Sequence, residues 1–355
     1  MAQTIDIHTH WFPEAWPDFG KRFGGDDWPQ IRHAGKGKAE IYLGEKPFRQ
    51  IDARCWDAQA RIAQMDRDGV DVQVISPTPV MFGYQRPAEQ AAEAARFFND
   101  ALLEFCARGK GRFQPLCQVP LQNPKLAVRE LERCMKAGHA GVEIGTHVGP
   151  KNLDDPDIVA FLAHCAQVGA AVFVHPWDML GCDRMPNHMM PWTVGMPAET
   201  HLAIVALIKS GAFDQLPREL RVCFAHGGGS FAFLLGRLEN AWKKHSGARG
   251  RSALAPQEYV KRFLVDSAVF DAKALEFLVS VMGDECVCLG SDFPYPLGEE
   301  HAGQLIRESR LPADAKAKLL GGNASRWLNL SGSHPSPPRR GSGGAPTHVT
   351  QPAHG

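Results

Sequence analysis

The chain has 355 residues, 39 basic against 39 acidic, and a 44% hydrophobic content. That length suits two small domains, or one α/β barrel of about 250 residues with insertions. The even charge balance, without a basic block, argues against a nucleic-acid partner, and no apolar run approaches the roughly 18 residues of a membrane span. The nine cysteines form neither a CxxC pair nor a regular framework, which reads as reduced thiols in a cytoplasmic protein. The opening Met-Ala-Gln-Thr-Ile-Asp carries no basic or apolar leader pattern, so export is not expected.

Taken in chain order, eight short β-rich runs are expected as strands: Ile5–His8, Val70–Ile75, Phe113–Val119, Gly141–Gly145, Ala171–His175, Val222–His226, Leu264–Val269 and Cys286–Gly290. Between them lie Pro87–Arg108, Pro124–Ala137, Pro156–Val168, Ala198–Gly211, Phe231–Lys244 and Ala272–Met282, whose apolar residues recur every three to four positions, as in helices. Pro124 and Pro156 follow the good caps Asn123 and Asp155. Eight such units predict a (β/α)8 TIM-like barrel. An open doubly wound sheet is the rival, but no G-x-G-x-x-G follows the first strand. The stretch 11–59, rich in Gly, Trp and charge, fits no barrel unit and is expected as an insertion over the mouth. Residues 331–355 hold five Gly, five Pro and four Ser, and are expected as a disordered tail after a barrel domain spanning 1–330.

The ends of the expected strands carry the chemistry. Run one ends in His8-Thr9-His10, run five in His175-Pro176-Trp177-Asp178, run six in His226-Gly227-Gly228-Gly229, and run eight leads into Ser291-Asp292-Phe293-Pro294. In a barrel these ends converge on one face. Residues i and i+2 of a strand share a face, so His8 and His10 can reach one ion about 2 Å from each nitrogen. Alone this pair is a weak signal, and His175 and Asp292 taken singly could be polar strand ends bonded to backbone. Together the four make a ligand set of three imidazoles and one carboxylate. Such a set suits one Zn2+, with Co2+, Fe2+ or Mn2+ as substitutes. No lysine occupies the end of run four, so one ion is expected rather than two; Glu143 there could bridge in principle. His226 is expected to act as acid and base toward an ion-activated water, its ordinary pKa being near 6.5. A fifth ligand is its alternative role. Cys286 and Cys288 are expected to pack.

The arrangement resembles the amidohydrolase superfamily, in particular its metal-dependent decarboxylase branch, over about residues 5–330. The blocks that carry the likeness are Pro79–Tyr84, His175-Pro176-Trp177-Asp178, Met196–Thr200, His226–Arg237, Val265–Phe270 and Leu289–Pro294. The resemblance implies a barrel, a zinc site at His8, His10, His175 and Asp292, and His226 as the catalytic residue. It further implies that Arg49 and Arg237 bind substrate carboxylates, that Arg237 reaches the neighbouring subunit's site in a homodimer, and that Trp192 lies by the pocket. The implied reaction is loss of CO2 from an unsaturated dicarboxylate without an organic cofactor. A lactone or amide hydrolase, a hydratase, an aromatic-acid decarboxylase of the same superfamily, or an inactive metal-binding protein are the alternatives. The chain departs from the branch pattern near Ile41–Lys46 and at Tyr295.

Overall fold

The computed structural model describes residues 3–25 and 27–330; the expected tail lies outside them. Eight parallel strands follow one another around a barrel: β1 (Ile5–Trp11), β2 (Val72–Pro77), β3 (Phe113–Cys117), β4 (Gly141–Gly145), β5 (Ala171–His175), β6 (Arg221–Phe224), β7 (Leu264–Asp266) and β8 (Val287–Cys288). Backbone bonds from Ile7 N to the Leu289 carbonyl (2.9 Å), from His10 N to the Phe293 carbonyl (2.7 Å) and from Asp292 N to the His8 carbonyl (3.0 Å) bring the last strand back to the first. The expected barrel is therefore the one that forms.

Helices α1 (Ala58–Asp68), α2 (Ala88–Arg108), α3 (Pro124–Ala137), α4 (Pro156–Gln167), α5 (Met196–Lys209), α6 (Phe231–Lys244) and α7 (Ala272–Met282) alternate with the strands. Their starts follow capping rules. The side chain of Asn123 accepts from Leu126 N and that of Asp155 from Asp157 N, each before a proline in the first turn. Alternation along β5 sends Val172 and Val174 into the layer shared with the helices, while Ala171, Phe173 and His175 share the opposite, interior face. Phe173 forms the floor beneath the histidines, its ring 5.0 Å from that of His8, and Trp327 packs below it at 6.2 Å.

Several boundaries differ from the expectation. β1 continues to Trp11, so both histidines lie inside the strand and not at its tip. β6 stops at Phe224; His226 sits in a tight turn with φ 57°, because the following glycines also adopt left-handed backbone. β8 has only two residues, and Asp292, with φ 60°, lies beyond it. The stretch after β1 contains the short helix Phe19–Phe23 and an antiparallel sheet of Pro29–Gly35, Lys38–Leu43 and Lys46–Asp52. Its Ile41 and Ile51 pack with Trp28, Trp56, Phe98 of α2 and Tyr295. It ends by Asp57, whose carboxylate caps α1 through Gln59 N and Ala60 N. No described helix is long and apolar enough to cross a membrane.

Candidate active site

His8, His175, His226 and Asp292 each present one nitrogen or oxygen, and these atoms all lie within 4.8 Å of one another. His10 joins them, with Nε2 3.1 Å from His8 Nε2 and 2.8 Å from Asp292 Oδ1. The cluster thus has five members, of which His10, His175, His226 and Asp292 line a cavity of about 660 Å³ and His8 lies behind them.

Close backbone approach makes this convergence possible. A Cβ on Gly290 would sit 2.9 Å from His8 Cβ and 2.6 Å from Asp266 Cβ, so only glycine lets β8 run so near β1 and β7. At Gly229 (φ 62°) a Cβ would come within 2.1 Å of the Pro197 carbonyl oxygen, which fixes the turn after His226 against the start of α5.

The orientation of each ring is held from behind. His8 Nδ1 donates to Asp266 Oδ2 at 2.6 Å, leaving Nε2 toward the cluster. Asp266 in turn accepts from Gly227 N (2.8 Å) and Ala268 N (3.0 Å). His175 Nδ1 donates to the Pro176 carbonyl at 3.0 Å, and its buried Nε2 has no partner among the described residues. A buried imidazole nitrogen without a proton partner, beside two other imidazoles and a carboxylate, fits a divalent cation.

For His175 and His10 the electrostatics agree with that chemistry. Burial, reinforced by the neighbouring His10 and His226, holds His175 well below its ordinary pKa. Burial likewise takes His10 down to about 4, so both rings are neutral near pH 7, as ligands must be. His8 differs: burial would lower it, but the bond to Asp266 and the charges of Asp266 and Asp292 prevail and raise it to about 9, so in the ion-free site this ring is charged near pH 7 and must give up its Nε2 proton to act as a ligand. Burial acts to raise Asp292, yet its bond to His10 and the nearby imidazoles keep its carboxyl below the usual range. His226 is pushed down by burial and by His8.

Curated decarboxylases are similar to this chain in sequence, and a solved decarboxylase structure shares its fold. Residues 5–330 match the amidohydrolase family model. A 2-amino-3-carboxymuconate-6-semialdehyde decarboxylase from Dictyostelium discoideum is 44% identical over 92% of this chain and 91% of its own length. One of the same name from Caenorhabditis elegans is 32% identical over 93% of this chain and 95% of its own. The structure of a dihydroxybenzoic acid decarboxylase from Polaromonas, with bound manganese and the inhibitor 2-nitroresorcinol, superposes with a TM-score of 0.75 at 21% identity, covering 94% and 98% of the two chains.

The chain belongs to the amidohydrolase family.

It is a carboxy-lyase of that family. Its other sequence-derived residues fall as follows. Arg49, on the last strand of the insertion, and Trp192, in the turn Pro191–Gly195 before α5, both line the cavity. Arg237 is exposed on α6 and does not line the cavity of its own chain. Glu143, fully buried on β4, has no well-formed hydrogen bond to either carboxyl oxygen among the described residues, and burial, opposed by the nearby Ser76 hydroxyl, raises it to about 8. Cys286 and Cys288 are buried, as expected.

Sequence reasoning missed three supports. Asp266 ends β7 as a strand-end carboxylate, the same signal that drew attention to Asp292, and could have been found that way. Arg61, fully buried on α1, donates to the carbonyls of His10 and Arg54 and to Thr9 Oγ1 (3.1 Å) and Gln73 Oε1 (3.2 Å). No pattern marks an arginine in mid-helix as an internal clamp. Tyr295 stacks on His10, with ring centroids 5.0 Å apart and planes at 24°.

Proposed function

We propose that this carboxy-lyase removes CO2 from 2-amino-3-carboxymuconate-6-semialdehyde to give 2-aminomuconate-6-semialdehyde. The catalytic unit is the barrel of residues 1–330, with the 11–59 insertion over its mouth. The observation that carries the reading is the five-residue cluster, four of whose members open on a cavity walled by an arginine, in a chain whose curated relatives decarboxylate that substrate by name.

His8, His10, His175 and Asp292 would hold the ion, which we assign as one zinc; three nitrogens and one hard oxygen are its usual set, and manganese is an alternative that the same donors accept. When bound, such an ion supplies a Lewis acid that offsets negative charge and acidifies water. The chain's own groups do the rest. Arg49 takes a substrate carboxylate through the two-pronged geometry of its guanidinium. Arg237 takes the second from the neighbouring subunit, which makes a cytoplasmic homodimer the working form. Trp192 closes the apolar wall beside Phe48, 6.5 Å away ring to ring. His226, neutral at rest, takes a proton from solvent water that enters the cavity and hands it to the carbon that carries the departing carboxyl, so that each turnover consumes one proton from solution. The C–C bond breaks toward that carbon, the proton takes the vacated position, and CO2 leaves.

Decarboxylation of an aromatic acid is the second reading, favoured by the shared fold with the Polaromonas enzyme. Both are tested by one measurement: CO2 release from the semialdehyde and from dihydroxybenzoates, paired with elemental analysis. Release from the semialdehyde alone, with stoichiometric zinc, is expected. Turnover of the aromatic acids alone would replace the first reading by the second.

A further inference from the structure

Tyr295 touches two groups that the proposed reaction uses. Its ring stacks on His10, and the Arg49 guanidinium lies over it with Cζ 4.0 Å from the ring centroid. Arg49 makes no ion pair with a carboxylate among the described residues. Its ordering rests on this ring and on Phe48, at 5.3 Å. An arginine side chain is otherwise rotamer-rich, so a ring that holds it decides where its directional donors point.

The ring is itself tethered. Thr78 Oγ1 donates to the Trp11 carbonyl at 3.3 Å and accepts from the Tyr295 hydroxyl at 2.6 Å. That path ends on the backbone of the residue after His10. A phenylalanine in this place would keep the stack and lose the tether.

We propose that Tyr295 is a positioning residue. Through its ring and its Thr78 tether it fixes where Arg49 holds a substrate carboxylate relative to His10, and so sets the length of dicarboxylate the cavity accepts. This rests on the carboxylate role given to Arg49 above.

The test compares wild type, Tyr295→Phe, Tyr295→Leu and Thr78→Val by steady-state CO2 release and metal content. Arginine Nε–H NMR, with titration of cis,cis-muconate as a stable dicarboxylate, gives a readout independent of turnover. The Arg49 signal is identified as the one missing in Arg49→Lys. In wild type it is expected to be shifted by the ring current and to move with muconate. Tyr295→Leu is expected to remove the shift, weaken muconate binding and raise KM roughly tenfold, with kcat within about threefold and metal content intact. Tyr295→Phe and Thr78→Val each raise KM by about two- to threefold, and not additively when combined. An unshifted Arg49 signal in wild type, or a fall in kcat at unchanged KM in Tyr295→Phe, overturns the inference. Absence of CO2 release by wild type overturns the proposed reaction instead; muconate binding that is equal in wild type and Tyr295→Leu still refutes the role of the tyrosine.

Discussion

Asp266 Oδ2 lies 2.6 Å from His8 Nδ1, and both side chains are fully buried. A carboxylate on the far nitrogen of an imidazole fixes its tautomer, aims the near nitrogen and makes it more basic. Asp266 is itself bonded by two backbone amides, so the pair is a rigid rod between β7 and β1.

Replacing Asp266 by Asn therefore leaves the fold in place but weakens the aim of His8. Affinity for the divalent ion is expected to fall by about 10- to 100-fold, measured by competition against a chelator. Undiminished affinity would remove Asp266 from the site's support.

His226 is reached by no carboxylate at hydrogen-bond distance, and its Nδ1 is buried without a partner among the described residues. His226→Ala is expected to retain the ion and to lose CO2 release by about 10²- to 10⁴-fold. Loss of the ion together with activity would instead make it a ligand, the alternative that its position within the cluster leaves open.

Arg61 buries a full positive charge, and burial draws its pKa down to about 10. Its contacts join the backbone at His10 to α1, and its guanidinium lies 4.9 Å from the Phe293 ring, next to Asp292. Arg61→Met strands those acceptors without donors and is expected to cost about 3 kcal/mol, read as a lower midpoint in urea. A midpoint unchanged from wild type would show that the clamp is dispensable.

Glu143 is protonated in the fold up to about pH 8, because burial disfavours its charge. The unfolded chain gives up that proton in the ordinary carboxylate range. The native state thus binds the extra proton between those two values, and stability from this group declines as pH rises through that window. Glu143→Gln keeps a neutral side chain of the same shape. In metal-free protein it is expected to flatten the fall in stability between about pH 5 and 8, and an unaltered slope in urea titrations would contradict a neutral Glu143.

Much of this was legible in the chain itself, since period-two and period-three-to-four patterns are local and each strand announces what sits at its end. The alternation of elements pointed to eight βα units, and the spacing of His8 and His10 put two imidazoles on one face. His175, His226 and Asp292 were visible as polar residues where apolar runs stop. What stayed hidden was contact between distant segments. Whether His226 sits with the ligands or apart from them depends on the left-handed turn at its backbone, and the fold places it within 4.8 Å of His8, His175 and Asp292. The pairing of Asp266 with His8 spans 258 residues, and that of Tyr295 with Thr78 spans 217. A sequence lists residues by their order along the chain, and hydrogen bonds and ring stacks depend on their distance in space. Local pattern therefore determined the barrel and its polar strand ends, while closure of β8 onto β1 decided which of those groups meet and what holds them.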